Sequence, residues 1–253
     1  MSKYRKHLTA LMAAGGILSL VAGAAWAERV EFGNTVLTVG GSFKPKKLPT
    51  NRLAPIALTV RGSIGTKDGS PPPVLDRVQV DFDKNGTMNT RGLPICKRGK
   101  LLFQKTKQAL NRCRAALVGR GSSSAIVDFP DQEPFTAKGP LLAFNGGPKK
   151  MLFHVYANVP APTAFVVTAK ISNAPGRAWG KRVKVKIPTI AGGHGTLKKF
   201  NVRVHRMFTF KGKRQSYLVA KCPTGVLKAR GIFNFKNGDR VTGQVARTCL
   251  RGK

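Results

Sequence analysis

Arg182-Val183-Lys184-Val185-Lys186-Ile187 alternates a cation with a β-branched apolar side chain. Successive side chains of an extended strand point to opposite faces, so Val183, Val185 and Ile187 share a buried face and Arg182, Lys184 and Lys186 the other. The same period of two runs outward from this stretch. Phe200, Val202 and Val204 alternate with Lys199, Arg203 and His205, and Leu227, Phe233 and Phe235 oppose Lys228 and Arg230. Toward the N-terminus, residues 36–39 and 56–60 and the trio Val78, Val80 and Phe82 carry it. Further strands are expected over residues 124–129, 141–144, 152–158, 164–171, 197–210, 217–220, 226–235 and 241–246. Lys44 to Pro49 reads as a polar, proline-broken crossing loop, and Pro71-Pro72-Pro73 separates strands. Asn85-Gly86 and Asn237-Gly238 lie between strands, where Asn-Gly signals a hairpin because both residues tolerate positive φ. One segment reads as helical: Thr106 as cap and a short helix through residues 110–116. Many short strands, frequent Gly and Pro turns and one short helix predict an all-β fold, an antiparallel β-sandwich. Residues 28–253 read as a single domain, with a division near Gly146-Gly147-Pro148 as the alternative.

Residues 1–27 read as a secretory signal peptide. Lys3, Arg5 and Lys6 precede a polar-poor stretch from Leu8 to Ala25, and Ala25-Trp26-Ala27 supplies a small-x-small cleavage pattern before Glu28. The expected address is therefore secreted, extracellular or attached to the cell envelope, with no transmembrane segment after residue 27. Cys96, Cys113, Cys222 and Cys249 all follow the cleavage point. An even count in an exported chain reads as two disulfides; of three pairings, Cys96–Cys113 and Cys222–Cys249 are favoured because each pair is close in sequence. Each would contribute roughly 3 kcal/mol on the chain-entropy account.

Charge is the second strong signal. The formal net charge is +35, and +32 remains once residues 1–27 are set aside. Residues 28–133 hold 18 Lys and Arg against nine acids, whereas residues 134–253 hold 24 against one, Asp239. Such a field draws the protein to anionic surfaces and polymers, with strong salt dependence. The expected partner is a wall polymer, an acidic glycan or a lipid head group. Nucleic acid would be held only non-specifically, since no DNA-binding motif accompanies the charge. Lys184, Lys186, Lys199, Arg203, Lys228 and Arg230 are the expected contacts. The plainer alternative is an ordinary solvated sheet face whose lysines guard its edges.

Catalytic signals are sparse. Asp81-Phe82-Asp83-Lys84-Asn85-Gly86 resembles the opening of a calcium loop, but position twelve is Gly92 and a strand precedes it; a strand running into a turn explains the same residues. His154 lies in a strand, His205 on the basic face, and His194 in a glycine-rich turn without the Lys-Ser/Thr end of a phosphate loop. There is no G-x-S-x-G elbow and no H-E-x-x-H. No catalytic residue, metal or cofactor is expected, and the chain reads as non-enzymatic. The alternative is a secreted cell-wall or glycan hydrolase using Asp83 or Glu133, which needs two carboxylates across a cleft. A third reading is an assembly subunit whose basic face meets a protein.

The stretch from Val39 to Pro49, the Asp81–Gly86 run followed by Gly92-Leu93-Pro94-Ile95-Cys96, residues 139–146 and Lys221-Cys222-Pro223-Thr224-Gly225 are similar to a set of exported proteins abundant in soil actinobacteria. The resemblance covers nearly all of residues 28–253. It implies export and a whole-chain domain, and it carries no functional residue across.

Overall fold

A computed structural model describes residues 28–159 and 161–252; the expected signal peptide over residues 1–27 lies outside them. The chain starts with a hairpin of β1 (Glu28–Phe32) and β2 (Thr35–Lys44), then two short strands, β3 (Lys47–Pro49) and β4 (Ala54–Pro55). Next come β5 (Ala57–Thr66), β6 (Leu75–Asp83), the short β7 (Gly86–Met88) and the helix α1 (Thr106–Cys113). Five long strands follow: β8 (Leu117–Val127), β9 (Phe135–Asn145), β10 (Lys150–Ala157), β11 (Thr163–Asn173) and β12 (Trp179–Lys186). After β13 (Gly195–Val204) come β14 (Met207–Phe210), β15 (Lys213–Ser216) and β16 (Leu218–Ala220), then the hairpin of β17 (Val226–Phe235) and β18 (Arg240–Thr248), and β19 (Leu250–Gly252).

Twelve strands make one sheet in the order β1-β2-β5-β13-β8-β9-β10-β11-β12-β6-β17-β18. Every pairing in it is antiparallel. The sheet curls until β18 lies against β1 and β2, so the expected sandwich is one sheet folded on itself and close to a barrel. Arg247 Nε donates to the Gly41 carbonyl at 2.6 Å across this seam.

Antiparallel order sorts the strand ends into two ends of the molecule. The lower end holds the β1–β2, β8–β9, β10–β11 and β17–β18 loops, whereas the β9–β10 and β11–β12 turns lie at the upper end. The upper end carries α1, the small sheets β4-β16-β7, β14-β15 and β3-β19, and both disulfides. Cys96–Cys113 and Cys222–Cys249 pair as expected, with Cα–Cα separations of 5.5 and 6.2 Å.

Burial follows the alternation. Phe43, Leu48, Ile56, Leu93, Tyr217 and Leu218 plug the upper end. Leu37, Ile64, Leu75, Val78, Phe233 and Val241 join the two walls lower down. A third cluster places Leu101, Ala109 and Cys113 over Leu142, Phe144 and Leu152 on the outside of β9 and β10.

Local readings need three corrections. Lys105, not Thr106, caps α1: its N–H donates to Gln108 Oε1 at 2.9 Å, while the Thr106 hydroxyl is buried without a partner. Asn85-Gly86 is a corner, not a hairpin, because β7 leaves β6 and pairs with β16. Asp83 Oδ1 makes that corner by accepting from the Asn85 N–H at 2.9 Å and Nδ2 at 2.8 Å. Asn237-Gly238 does lie in the turn between β17 and β18, with Gly238 at φ +92. Residues 197–210 form two strands: the chain leaves the sheet at His205, and Lys211 and Gly212, both at positive φ, fold β14 onto β15. Gly146 and Gly147 lie in the turn between the paired neighbours β9 and β10.

Candidate functional site

Strands β12, β6 and β17 lie side by side, and their outward residues fall into rows. In the uppermost complete row Arg182, Asp81 and Arg230 stand opposite one another. Asp81 is fully buried beneath the two guanidinium groups. Arg182 donates Nε to Oδ1 at 2.6 Å and Nη2 to Oδ2 at 2.8 Å, and Arg230 Nη2 reaches Oδ2 at 2.7 Å. Hydrogen bonding to Arg182 holds the Asp81 carboxyl below the usual carboxylate range despite the opposing effect of burial. Arg230 also lies over the Trp179 ring, 5.0 Å from its centroid. The carboxylate that sequence placed at the head of a calcium loop is thus held by two arginines.

Below this row the cations lack such a partner in register. Lys184 stands opposite Lys170 of β11 on one side and Gln79 on the other. Lys186 stands opposite Arg77, and Arg240 of β18 faces Asn234 in the same row. All five cations are exposed, with Asp76 3.7 Å from the Arg77 guanidinium. Lys228 sits at the upper edge, its side chain exposed and its N–H donating to Asp83 Oδ2 at 3.1 Å. Like charges set directly opposite destabilise a sheet, on a scale of roughly 0.2–1 kcal/mol per pair.

Lys199 and Arg203 occupy the other wall. Their strand, β13, lies between β5 and β8, five places from β12 in the sheet order. Arg203 stands opposite Arg120 of β8, repeating the like-charge motif. Lys199 is the centre of a row Thr38–Ser63–Lys199–Ser124–Lys138 that crosses β2, β5, β13, β8 and β9. With Arg61, Asn201 and Ser122 of the adjoining row, these residues line a groove of about 650 Å³. Hydroxyl and amide groups alternate there with three cations, and no carboxylate lines it. The strands come together closely at this point because Gly121 packs on the Asn201 carbonyl, where a Cβ would collide.

Sequence therefore identified six cations and the structure distributes them: Lys184, Lys186, Lys228 and Arg230 on one wall, Lys199 and Arg203 on the other. Reading the chain missed Lys170, Arg77, Arg61 and Lys138; the cross-strand neighbours of Arg77 and Arg61, Lys186 and Asn201, are distant in sequence. The only local hint was the small-residue run Gly121-Ser122-Ser123-Ser124.

The carboxylates of the hydrolase reading are not brought together. Glu133 is exposed in the loop that precedes β9, and Asp83 ends β6. Four antiparallel steps separate those strands, so the start of β9 and the end of β6 fall at opposite ends of the sheet. A nine-residue strand such as β6 puts roughly 25–30 Å between its ends, against about 5–9.5 Å for a glycosidase pair.

His154 is buried, and burial lowers its pKa. Its Nε2 lies 2.8 Å from the Gln104 carbonyl, which requires the proton on Nε2; Nδ1 is buried without a partner. His194 packs against the Phe129 ring at 5.2 Å between centroids. Among the described residues no group of three or more His, Cys, Asp or Glu is placed to hold a metal ion, and no helix is long and apolar enough to cross a membrane. Compared with known proteins, the chain matches no family model, no curated protein and no solved structure.

Proposed function

We propose that this is a non-enzymatic exported protein that binds an anionic polymer of the cell envelope or its surroundings along the outer faces of its large sheet. The observation that carries the reading is the register of like charges: Lys170 against Lys184, Arg77 against Lys186 and Arg120 against Arg203. Each pair weakens the fold, and a bridging anion relieves the repulsion. Lys170 on β11 and Arg240 on β18 lie four strand steps apart, so the cations extend over about 19 Å across the strands at the usual spacing. That span suits a polymer with repeated charges better than a single small anion. The groove around Lys199 adds hydroxyl and amide partners between cations, which suits a polymer whose anionic groups alternate with hydroxyls, as in acidic glycans and polyol phosphates. Two disulfides accord with an oxidising compartment, as does the resemblance to exported actinobacterial proteins.

The test is binding of the chain from Glu28 onward to isolated cell wall, DNA and anionic vesicles, each across a salt series. All three will show salt dependence. The expected result is that cell wall is retained at physiological salt and above while DNA and vesicles are released. Reversing Lys170, Lys184 and Lys186, or separately Arg61, Lys138 and Lys199, then assigns the contact to one wall. Simultaneous release of all three targets would leave the charge as a generic coat and defeat the proposal.

A further inference from the structure

We infer that the interior of the curled sheet is a second binding site, for a linear aliphatic chain that inserts from the lower end. A cavity of about 380 Å³ lies between the two walls. Its sides are the inward residues of the same alternation that puts the cations outside, among them Val60, Val80, Phe153, Val155, Val183 and Val185.

Burial in this interior runs opposite to that of a filled core. Inward residues midway along central strands should be the most enclosed of all. Here those six remain half-buried, while Phe43, Ile56, Met151 and Leu218 above them are buried. Geometry supplies the reason. About eight strands enclose an interior that side chains fill, and twelve strands curl around this one. The joining cluster of Leu37, Ile64, Phe233 and Val241 fills part of the space between the walls.

The chemistry of the walls selects the ligand. Arg61, Asp83, Lys181, Lys228 and Arg247 also reach the lining, but its surface is overwhelmingly apolar. Valine and phenylalanine side chains offer water no hydrogen-bond partner, so hydration of the space is unfavourable, whereas an aliphatic chain regains dispersion contacts along its whole length. The volume falls within the usual range of small-molecule pockets, about 300–1,000 Å³.

The two ends of the cavity differ. Tyr217, Leu218 and Ala220 close the upper end and are buried. At the lower end Ala157, Phe165, Ile187, Pro188 and Ile190 line the cavity and are all half-buried. Val159, two residues beyond the end of β10 at this end, is 56% exposed. An apolar rim of this kind eases passage of an aliphatic chain from water. The site draws mainly on the opposite face of the strands from the cationic rows, with Arg61 shared between the cavity and the outer groove, and it stands whether or not those rows bind a polymer.

The experiment titrates the chain from Glu28 onward with N-phenyl-1-naphthylamine, a neutral fluorophore that the outer cations do not attract. The expected result is saturable binding of one probe per chain, unchanged at high salt and displaced by hexadecan-1-ol. Val183→Trp and Val155→Phe, which fill the cavity, should each weaken probe binding by about tenfold or more while raising the thermal midpoint. Comparing hexadecan-1-ol with farnesol separates straight acyl-type chains from branched isoprenoids as the preferred class. Absence of saturable binding, failure of both alcohols to displace the probe, or unchanged binding in a folded filled variant would each overturn the inference. If neither filled variant folds, displacement from the unaltered chain decides. Polymer binding that fails while probe binding persists removes only the outer-face reading.

Discussion

Asp81 and Arg182 face each other across the β6–β12 ladder, 101 residues apart in sequence, with both carboxylate oxygens held by one guanidinium group. Arg230 completes the set from β17, so three strands are joined by side chains as well as by backbone. A carboxylate with no exposure keeps its charge here because hydrogen-bond donors approach from both flanks.

Removing that carboxylate leaves two arginines facing each other without it. Asp81→Ala should cost about 3–5 kcal/mol in urea unfolding. The pH dependence follows from the lowered folded pKa: the contribution is present above the unfolded value, about 3.9, and is lost as pH falls through the folded value. Asp81→Asn should therefore flatten the stability curve below about pH 4 relative to the unaltered chain. An unchanged acid limb would show that the pair contributes nothing.

His154 titrates with the opposite chemistry and the same sign. Its folded pKa is lowered by burial, so the unfolded chain binds the proton first, and stability declines as pH drops below about 6.5 until the folded value is passed. Protonation would place a hydrogen on Nδ1, which has no acceptor. His154→Gln should be less stable at neutral pH yet show a smaller loss between about pH 6.5 and 5 by chemical denaturation. An equal slope in both proteins would place the acid sensitivity elsewhere.

The like-charge rows predict a trade between folding and binding. Lys186→Glu turns the Arg77–Lys186 repulsion into attraction and should raise stability by a few tenths to about 1 kcal/mol. The same change should weaken retention on an anionic polymer and reduce the salt slope. A lower melting temperature in this variant would contradict the register argument.

Gly121 tests the close strand approach beside Lys199. Gly121→Val sets a Cβ against the Asn201 carbonyl and must part β8 from β13. A loss above about 3 kcal/mol, or failure to fold, is expected. Gly99→Ala, at a position with open space around it, should change stability by less than about 0.5 kcal/mol. Equal effects at the two positions would mean that the contact is not tight.

Val183, Val185 and Ile187 announced a strand and its buried face because side-chain direction in an extended chain is a local property with a period of two. Both disulfides were legible for a related reason: separations of 17 and 27 residues keep each pair within one local unit. The α1 cap was misread because Gln108, not Thr106, meets the first free N–H. Alternation names a face but not a neighbour. Nothing near Asp83 in the chain shows that β6 inserts between β12 and β17, or that Lys199 and Arg203 stand on the wall opposite Lys184. Those placements depend on ladders between distant segments, formed only when the whole sheet curls. The paired Asp81, the opposed cations, the groove at Lys199 and the apolar interior are properties of register and curvature, which arise from long-range hydrogen bonding and packing and have no local signature in the amino-acid order.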